Sequence, residues 1–258
     1  MERVEITSWN HLNDILFEES WDEGLKRIRS PYAFRGLPDA NFDLMTSLQR
    51  LGGNYYKLEK NILRNFKKYS YEFNVDSVWE LMAIAQHYGL PTRLLDWTYS
   101  PYVALHFVTS QLELYDRDGV VWCLDFKETS ENLPVRLKDK LKKEQANAFT
   151  VGMLNEAYKS LEGLQKSKRE DFILFFEPPS MDSRIVNQFA LFSMMSSPTA
   201  RVDDLISESD LNIRKIIIPK GLKWEIRDRL DQLNINERTL FPGLNGLCSW
   251  LRRHYSPR

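Results

Sequence analysis

Between two helix-like segments the chain reads Gln86-His87-Tyr88-Gly89-Leu90-Pro91-Thr92-Arg93-Leu94-Leu95-Asp96-Trp97-Thr98, crowding an arginine, an aspartate, an imidazole, two aromatic rings and hydroxyls into one short block. An arginine and an aspartate this close to Leu94, Leu95 and Trp97 are partly desolvated. Charges in that position persist only when paired with each other, with backbone or with a ligand. The block therefore marks the place to expect a polar pocket. Each residue also has a plain structural reading. His87 can neutralise the negative end of its helix, Arg93 and Asp96 can pair with each other, and Thr98 and Ser100 can cap a helix. Elsewhere, Arg35 sits beside Gly36, and Arg184 and Gln188 precede an apolar run. Arg35 could be a salt-bridge partner and Gln188 a buried amide satisfying backbone.

The common enzyme signatures are missing from the sequence. There is no Gly-x-Ser-x-Gly elbow, no Gly-rich phosphate loop and no His-x-x-x-His or similar metal spacing, which argues against hydrolase, kinase and metalloenzyme readings. With 35 basic against 36 acidic residues, no global field draws the molecule to nucleic acid or to an anionic membrane. Cys123 and Cys248 lack Cys-x-x-Cys spacing and read as core residues in a reducing compartment. No run approaches the ~18 apolar residues of a membrane span, and Met1-Glu2-Arg3-Val4-Glu5 does not open a signal peptide, so a cytoplasmic protein is expected.

The 258 residues, 43% apolar and 12% aromatic, suffice for a sizeable core. Ser8 caps a first helix over residues 8–18, and Trp21, Leu25 and Ile28 suggest a second. Tyr32 to Leu37 reads as a strand with Arg35 at its end. Leu58, Ile62, Phe66 and Tyr69 give a helix its apolar face. Ser77 to Glu80 matches a capping box opening a helix that Gly89 ends, so that Gln86 and His87 fall in its last turn. A strand over 94–98 and a helix begun by Ser100 and Pro101 follow. Gly119 to Phe126, Asp171 to Phe176, Phe189 to Met194 and Ile213 to Ile218 read as further strands, and Trp224, Ile226, Leu230 and Leu233 as a closing helix. The lysine-rich stretches 137–143 and 166–169 are solvated faces or phosphate contacts. The tail after Leu247 is helical, then basic. With no linker or repeat, a single α+β domain over 1–258 is expected.

Phe34-Arg35-Gly36, the Gln86 to Thr98 block, the Arg184 to Phe192 segment and Leu240-Phe241-Pro242-Gly243-Leu244-Asn245-Gly246 together resemble the FRG domain family across roughly residues 25 to 250. That resemblance implies a bacterial or phage-associated setting, with a toxin or anti-phage role and an antitoxin or other regulatory protein as partner. The chain is also similar to ADP-ribosyltransferases, which bind NAD in a split, mixed sheet and share three stations along the chain. Arg35-Gly36 matches the first. Asp96-Trp97-Thr98 followed by Ala104 and Phe107 matches the second. Gln188 stands where the third has Glu.

This second resemblance implies NAD as co-substrate, no metal, and a nucleic-acid or protein acceptor. It makes Arg35, Asp96 and Gln188 the catalytic candidates. Arg35, Gly36, Gln86, His87, Thr92, Arg93, Thr98 and Arg184 become the cofactor-binding ones. Cleaving the nicotinamide–ribose bond develops positive charge on the ribose, and a guanidinium can grip the pyrophosphate while glycine lets it approach the backbone. A Gln can orient the ribose but cannot take a proton. Three readings stay open. The acceptor needs no strong base, Asp96 or Glu177 supplies the charge, or the domain binds without reacting. For a nucleobase acceptor, Tyr55 and Tyr56 with the basic clusters would form a stacking groove.

Overall fold

In the computed structural model, which describes residues 1–208 and 211–257, the chain begins with strand β1 (Glu2–Glu5) and helix α1 (Trp9–Phe17). The Ser8 hydroxyl caps α1 by accepting from the His11 amide at 3.2 Å, and Leu12 and Leu16 turn inward. The expected second helix is instead a hairpin, β2 (Trp21–Asp22) and β3 (Arg27–Ile28). Its turn is set by the Asp22 carboxylate, which accepts from the Leu25 amide at 2.8 Å, and by Lys26 at φ 51°. Trp21, Leu25 and Ile28 all stay exposed, so their helical spacing had no surface to pack against.

Strand β4 (Tyr32–Leu37), α2 (Tyr55–Tyr69), α3 (Val78–His87), β5 (Leu94–Thr98) and α4 (Pro101–Val108) carry the informative residues. The Ser77 side chain caps α3 by accepting from the Glu80 amide, Gly89 follows the helix in the left-handed region, and Ser100 caps α4 with Pro101 at its first position. In α2 the inward face is rotated from the expected one. Glu59 and Leu63 are buried, whereas Leu58 is 44% and Tyr69 76% exposed. The ion pair of Glu59 with Arg93 sets that rotation.

The remainder comprises β6 (Gly119–Asp125), α5 (Phe126–Thr129), α6 (Val135–Glu144), β7 (Phe149–Thr150), α7 (Val151–Ala157), α8 (Leu161–Gln165) and β8 (Ile173–Glu177). Next come α9 (Ser183–Asn187), β9 (Ala190–Met195), α10 (Val202–Glu208), β10 (Ile213–Ile218), α11 (Lys223–Gln232), α12 (Glu237–Leu240) and α13 (Leu244–His254). Eight of these strands form one mixed sheet in the order β1-β10-β6-β4-β5-β9-β8-β7, so the domain is α+β. The outer pairs β1/β10 and β7/β8 run parallel and the others antiparallel. Among the described residues no helix is long and apolar enough to cross a membrane.

Pairing is uneven across the middle of the sheet. Strand β4 pairs with β6 along its whole length, Tyr32 to Leu37, and β5 pairs with β9 from Leu94 to Thr98. Between β4 and β5, by contrast, the register holds at one position, Phe34 opposite Thr98. The expected split is thus a local opening in a continuous sheet. Opposed residues point to one face, so Phe34 and Thr98 share a face. On it, one half of the sheet packs Phe34, Val121 and Ile216 against Leu12, Leu105 and Leu230 of α1, α4 and α11. The other half packs Leu94, Leu174 and Phe192 against residues of α3, α6 and α7. The reverse face is a third cluster, with Leu37, Leu95, Trp97 and Trp122 beneath Leu44, Val202 and Ile206.

Gly36 lies on the α4 side of β4. A Cβ there would stand 1.9 Å from the Ala104 carbonyl oxygen and 3.0 Å from a Val108 methyl. Helix packing by itself requires the glycine at this position. Gly36→Ala is expected to destabilise the fold by about 1–3 kcal/mol through overpacking, measured as a lower urea midpoint with unchanged slope. Cys123 is buried in β6 as expected, but Cys248 is exposed. Helix α13 meets the body through Gly246 and Arg253, which leaves the face bearing Cys248 in solvent.

Candidate functional site

Where β4 and β5 part, the backbone of Asp96 has no partner on β4, and the Arg35 guanidinium donates from Nη1 to the Asp96 carbonyl at 2.5 Å. Arg35 therefore sits in mid-strand, not at the strand's end, and binds a carbonyl where a salt bridge was the structural expectation. Its Nε is buried with no hydrogen-bond partner. Burial draws the Arg35 pKa below its ordinary value; the charge of Asp96 opposes this and that of Arg50 adds to it.

The Asp96 carboxylate itself is exposed, and its two oxygens accept from the Gln86 amide nitrogen at 3.1 and 3.0 Å. The Gln86 carbonyl accepts from the Thr92 hydroxyl at 2.6 Å, and that hydroxyl accepts from the Leu94 amide at 3.1 Å. This chain fixes which end of the Gln86 amide faces the carboxylate. The hydrogen-bond partner of the carboxylate is therefore a neutral amide. Arg93 does not pair with it: Arg93 is buried against Glu59, with Nη1 donating to the Ser196 carbonyl at 2.9 Å.

Around the opening lies a cleft of about 290 Å³. It is lined by Arg35, Gly36 and Leu37 of β4, Asp96 to Thr98 of β5, Gln86 and His87 at the end of α3, Phe107, Ser110 and Gln111 at the end of α4, and Arg184, Ile185 and Gln188. Of the sequence candidates, Arg35, Gly36, Gln86, His87, Asp96, Thr98, Arg184 and Gln188 come together here. Thr92 and Arg93 do not line the cleft. Thr92 positions Gln86 from behind, and Arg93 is structural. Nor does Glu177, which accepts from the Tyr99 hydroxyl at 2.9 Å, or the pair Tyr55 and Tyr56, whose rings meet edge to face away from the cleft.

His87 places Nε2 2.8 Å from Asp182 Oδ2, while Asp182 Oδ1 caps α9 by accepting from the Ile185 amide at 3.0 Å. One carboxylate thus locks α9 to α3. The Thr98 hydroxyl donates to the Gln188 carbonyl at 2.7 Å and accepts from the Ser100 amide at 3.0 Å. Gln188 is the C-cap of α9, two residues before β9, and its amide nitrogen donates to the Leu240 carbonyl at 3.0 Å. Gln188 thus precedes the strand, and its side chain satisfies a backbone carbonyl, as its structural reading expected. Arg184 is exposed and lies 5.1 Å from the Phe241 ring. Ser110 and Gln111 were not foreseen as site residues, and Phe107 was singled out only as part of the second station. The only signal for Ser110 and Gln111 was that α4 must follow Ser100 and pack against β4.

With this geometry in hand, comparison with known proteins gives one family. Residues 30–117 match the FRG domain model, a segment that includes both walls of the opening and stops short of Arg184, Gln188 and Phe241. No curated protein and no solved structure matches the chain.

Proposed function

On the frame of an FRG domain, we propose that the β4/β5 cleft binds NAD as a co-substrate and that the protein transfers ADP-ribose to a nucleic-acid or protein acceptor, as a toxin or anti-phage effector would. The observation that supports this most is the sheet opening, with a guanidinium on one wall and, on the other, a carboxylate bonded to a neutral amide. The positive charge that develops on a ribose as its nicotinamide bond breaks is stabilised by a fixed negative charge, and Asp96, aligned by Gln86, is that charge. The guanidinium of Arg35, which lines the cleft, and the exposed fork of Arg184 suit a pyrophosphate. Gln188 takes a positioning role, because its amide is engaged with the Leu240 carbonyl. A cleft of about 290 Å³ lies at the lower end of small-molecule sites and suits one half of a dinucleotide.

The neutrality of Gln188 favours a second reading, a nucleotide-recognition module without turnover. Incubating the pure protein with NAD labelled in its adenylate moiety and with cellular RNA, DNA and protein separates the two. Label transferred to one acceptor class supports the transferase. Saturable NAD binding with no transfer and no release of nicotinamide supports the module.

A further inference from the structure

The second large cavity of the molecule is a groove of about 680 Å³ between α4, α12 and α13, with His106 and Phe241 at its floor and Asn245, Ser249 and Arg252 along one side. The last three recur at i, i+4 and i+7, so they form one face of α13. That helix is seated tightly: a Cβ on Gly246 would stand 1.9 Å from the Phe241 carbonyl oxygen.

The informative group is His106, 1% exposed. Its Nδ1 lies 2.8 Å from Arg227 Nη1. A guanidinium only donates, so Nδ1 is the acceptor and the imidazole proton is on Nε2. Burial, with the neighbouring Arg227 charge, pushes the His106 pKa down to about 3, so the ring stays neutral. The Nε2–H has no acceptor among the described residues, although His106 lines the groove. The buried carboxylate beside it, Glu237, is already paired with Arg253, with bonds of 2.7 and 2.8 Å.

The groove also joins the cleft described above. Ser110 lines both, and Arg184 of the cleft rests on Phe241 of the groove. The cleft suits half of a dinucleotide, and the larger groove beside it offers an imidazole N–H donor and an aromatic wall. We propose that the groove binds the purine-nucleoside half of the dinucleotide, with His106 Nε2–H donating to a ring nitrogen and Arg184 at the junction taking the pyrophosphate. This rests on the reading of the cleft as an NAD site.

The test is calorimetric titration of the full chain with NAD, nicotinamide mononucleotide and AMP, for wild type and Ser249→Trp, which fills the groove from an exposed helix position. Ser249→Trp is expected to weaken NAD by about 10-fold or more, to abolish AMP binding and to leave nicotinamide mononucleotide unaffected. In parallel, the ¹⁵N signal of His106 Nε2 in the wild type should move on addition of AMP and not of nicotinamide mononucleotide. Equal NAD affinity in the two proteins, or AMP binding that leaves the His106 signal in place, would overturn the proposal. If the wild type binds neither NAD nor nicotinamide mononucleotide while AMP still shifts His106, the cleft reading fails and the groove stands as a purine-nucleotide site.

Discussion

Arg93→Met is expected to lower the free energy of unfolding by about 3–5 kcal/mol, because it strands a buried carboxylate. The Arg93 and Glu59 side chains are only 5% and 7% exposed, and they meet through two parallel hydrogen bonds, Arg93 Nε to Glu59 Oε1 and Nη2 to Oε2. The remaining nitrogen, Nη1, bonds to the Ser196 carbonyl at 2.9 Å. One guanidinium thereby ties α2, the entry to β5 and the end of β9 together. Replacing both partners, Glu59→Met with Arg93→Met, removes the stranded charge and should recover most of the loss. Urea unfolding of the single and double variants measures this. A single-variant loss below about 1 kcal/mol would show that the pair is solvated, as surface pairs are.

On the proposed function, Asp96→Asn is expected to lower ADP-ribose transfer by about 10²-fold or more, the scale of removing one preorganised electrostatic contact. The asparagine keeps an oxygen to accept from the Gln86 amide, so the change is mainly one of charge. Asp96 is exposed and bonded to a neutral amide, so stability should change little. The expected signature is a fall in kcat with the KM for NAD nearly unchanged, since the carboxylate acts on charge that develops during reaction. Full activity in Asp96→Asn would transfer the catalytic role elsewhere in the cleft. A thermal midpoint that collapses with it would make Asp96 structural.

How far these groups could be foreseen follows from the range of the interactions involved. Helix caps at Ser8, Ser77 and Ser100 and the left-handed Gly89 are local, and their residue types specify them. The grouping of Arg35 with the Gln86 to Thr98 block was legible because short motifs marked both strands. The partner of Arg93 was not, because Glu59 lies in a helix whose apolar spacing pointed to another face, and one buried ion pair outweighed that pattern. Gly36 was legible as a constraint but not as a packing constraint, since the Ala104 carbonyl approaches it only once α4 is laid on the sheet. The hairpin at Trp21 to Ile28 escaped because its spacing fits a helix while an Asx turn decides the backbone. The groove beneath α13 and the His106–Arg227 contact beside it arise from tertiary packing with no sequence signature.

Calorimetric titration of NAD into the wild type and into Arg35→Ala, each checked for native circular dichroism, tests the central claim most directly. The account predicts one saturable site in the wild type, with affinity weakened about 10-fold or more when the buried guanidinium is removed. Absence of NAD binding in the wild type, or the same affinity in both proteins, would contradict it.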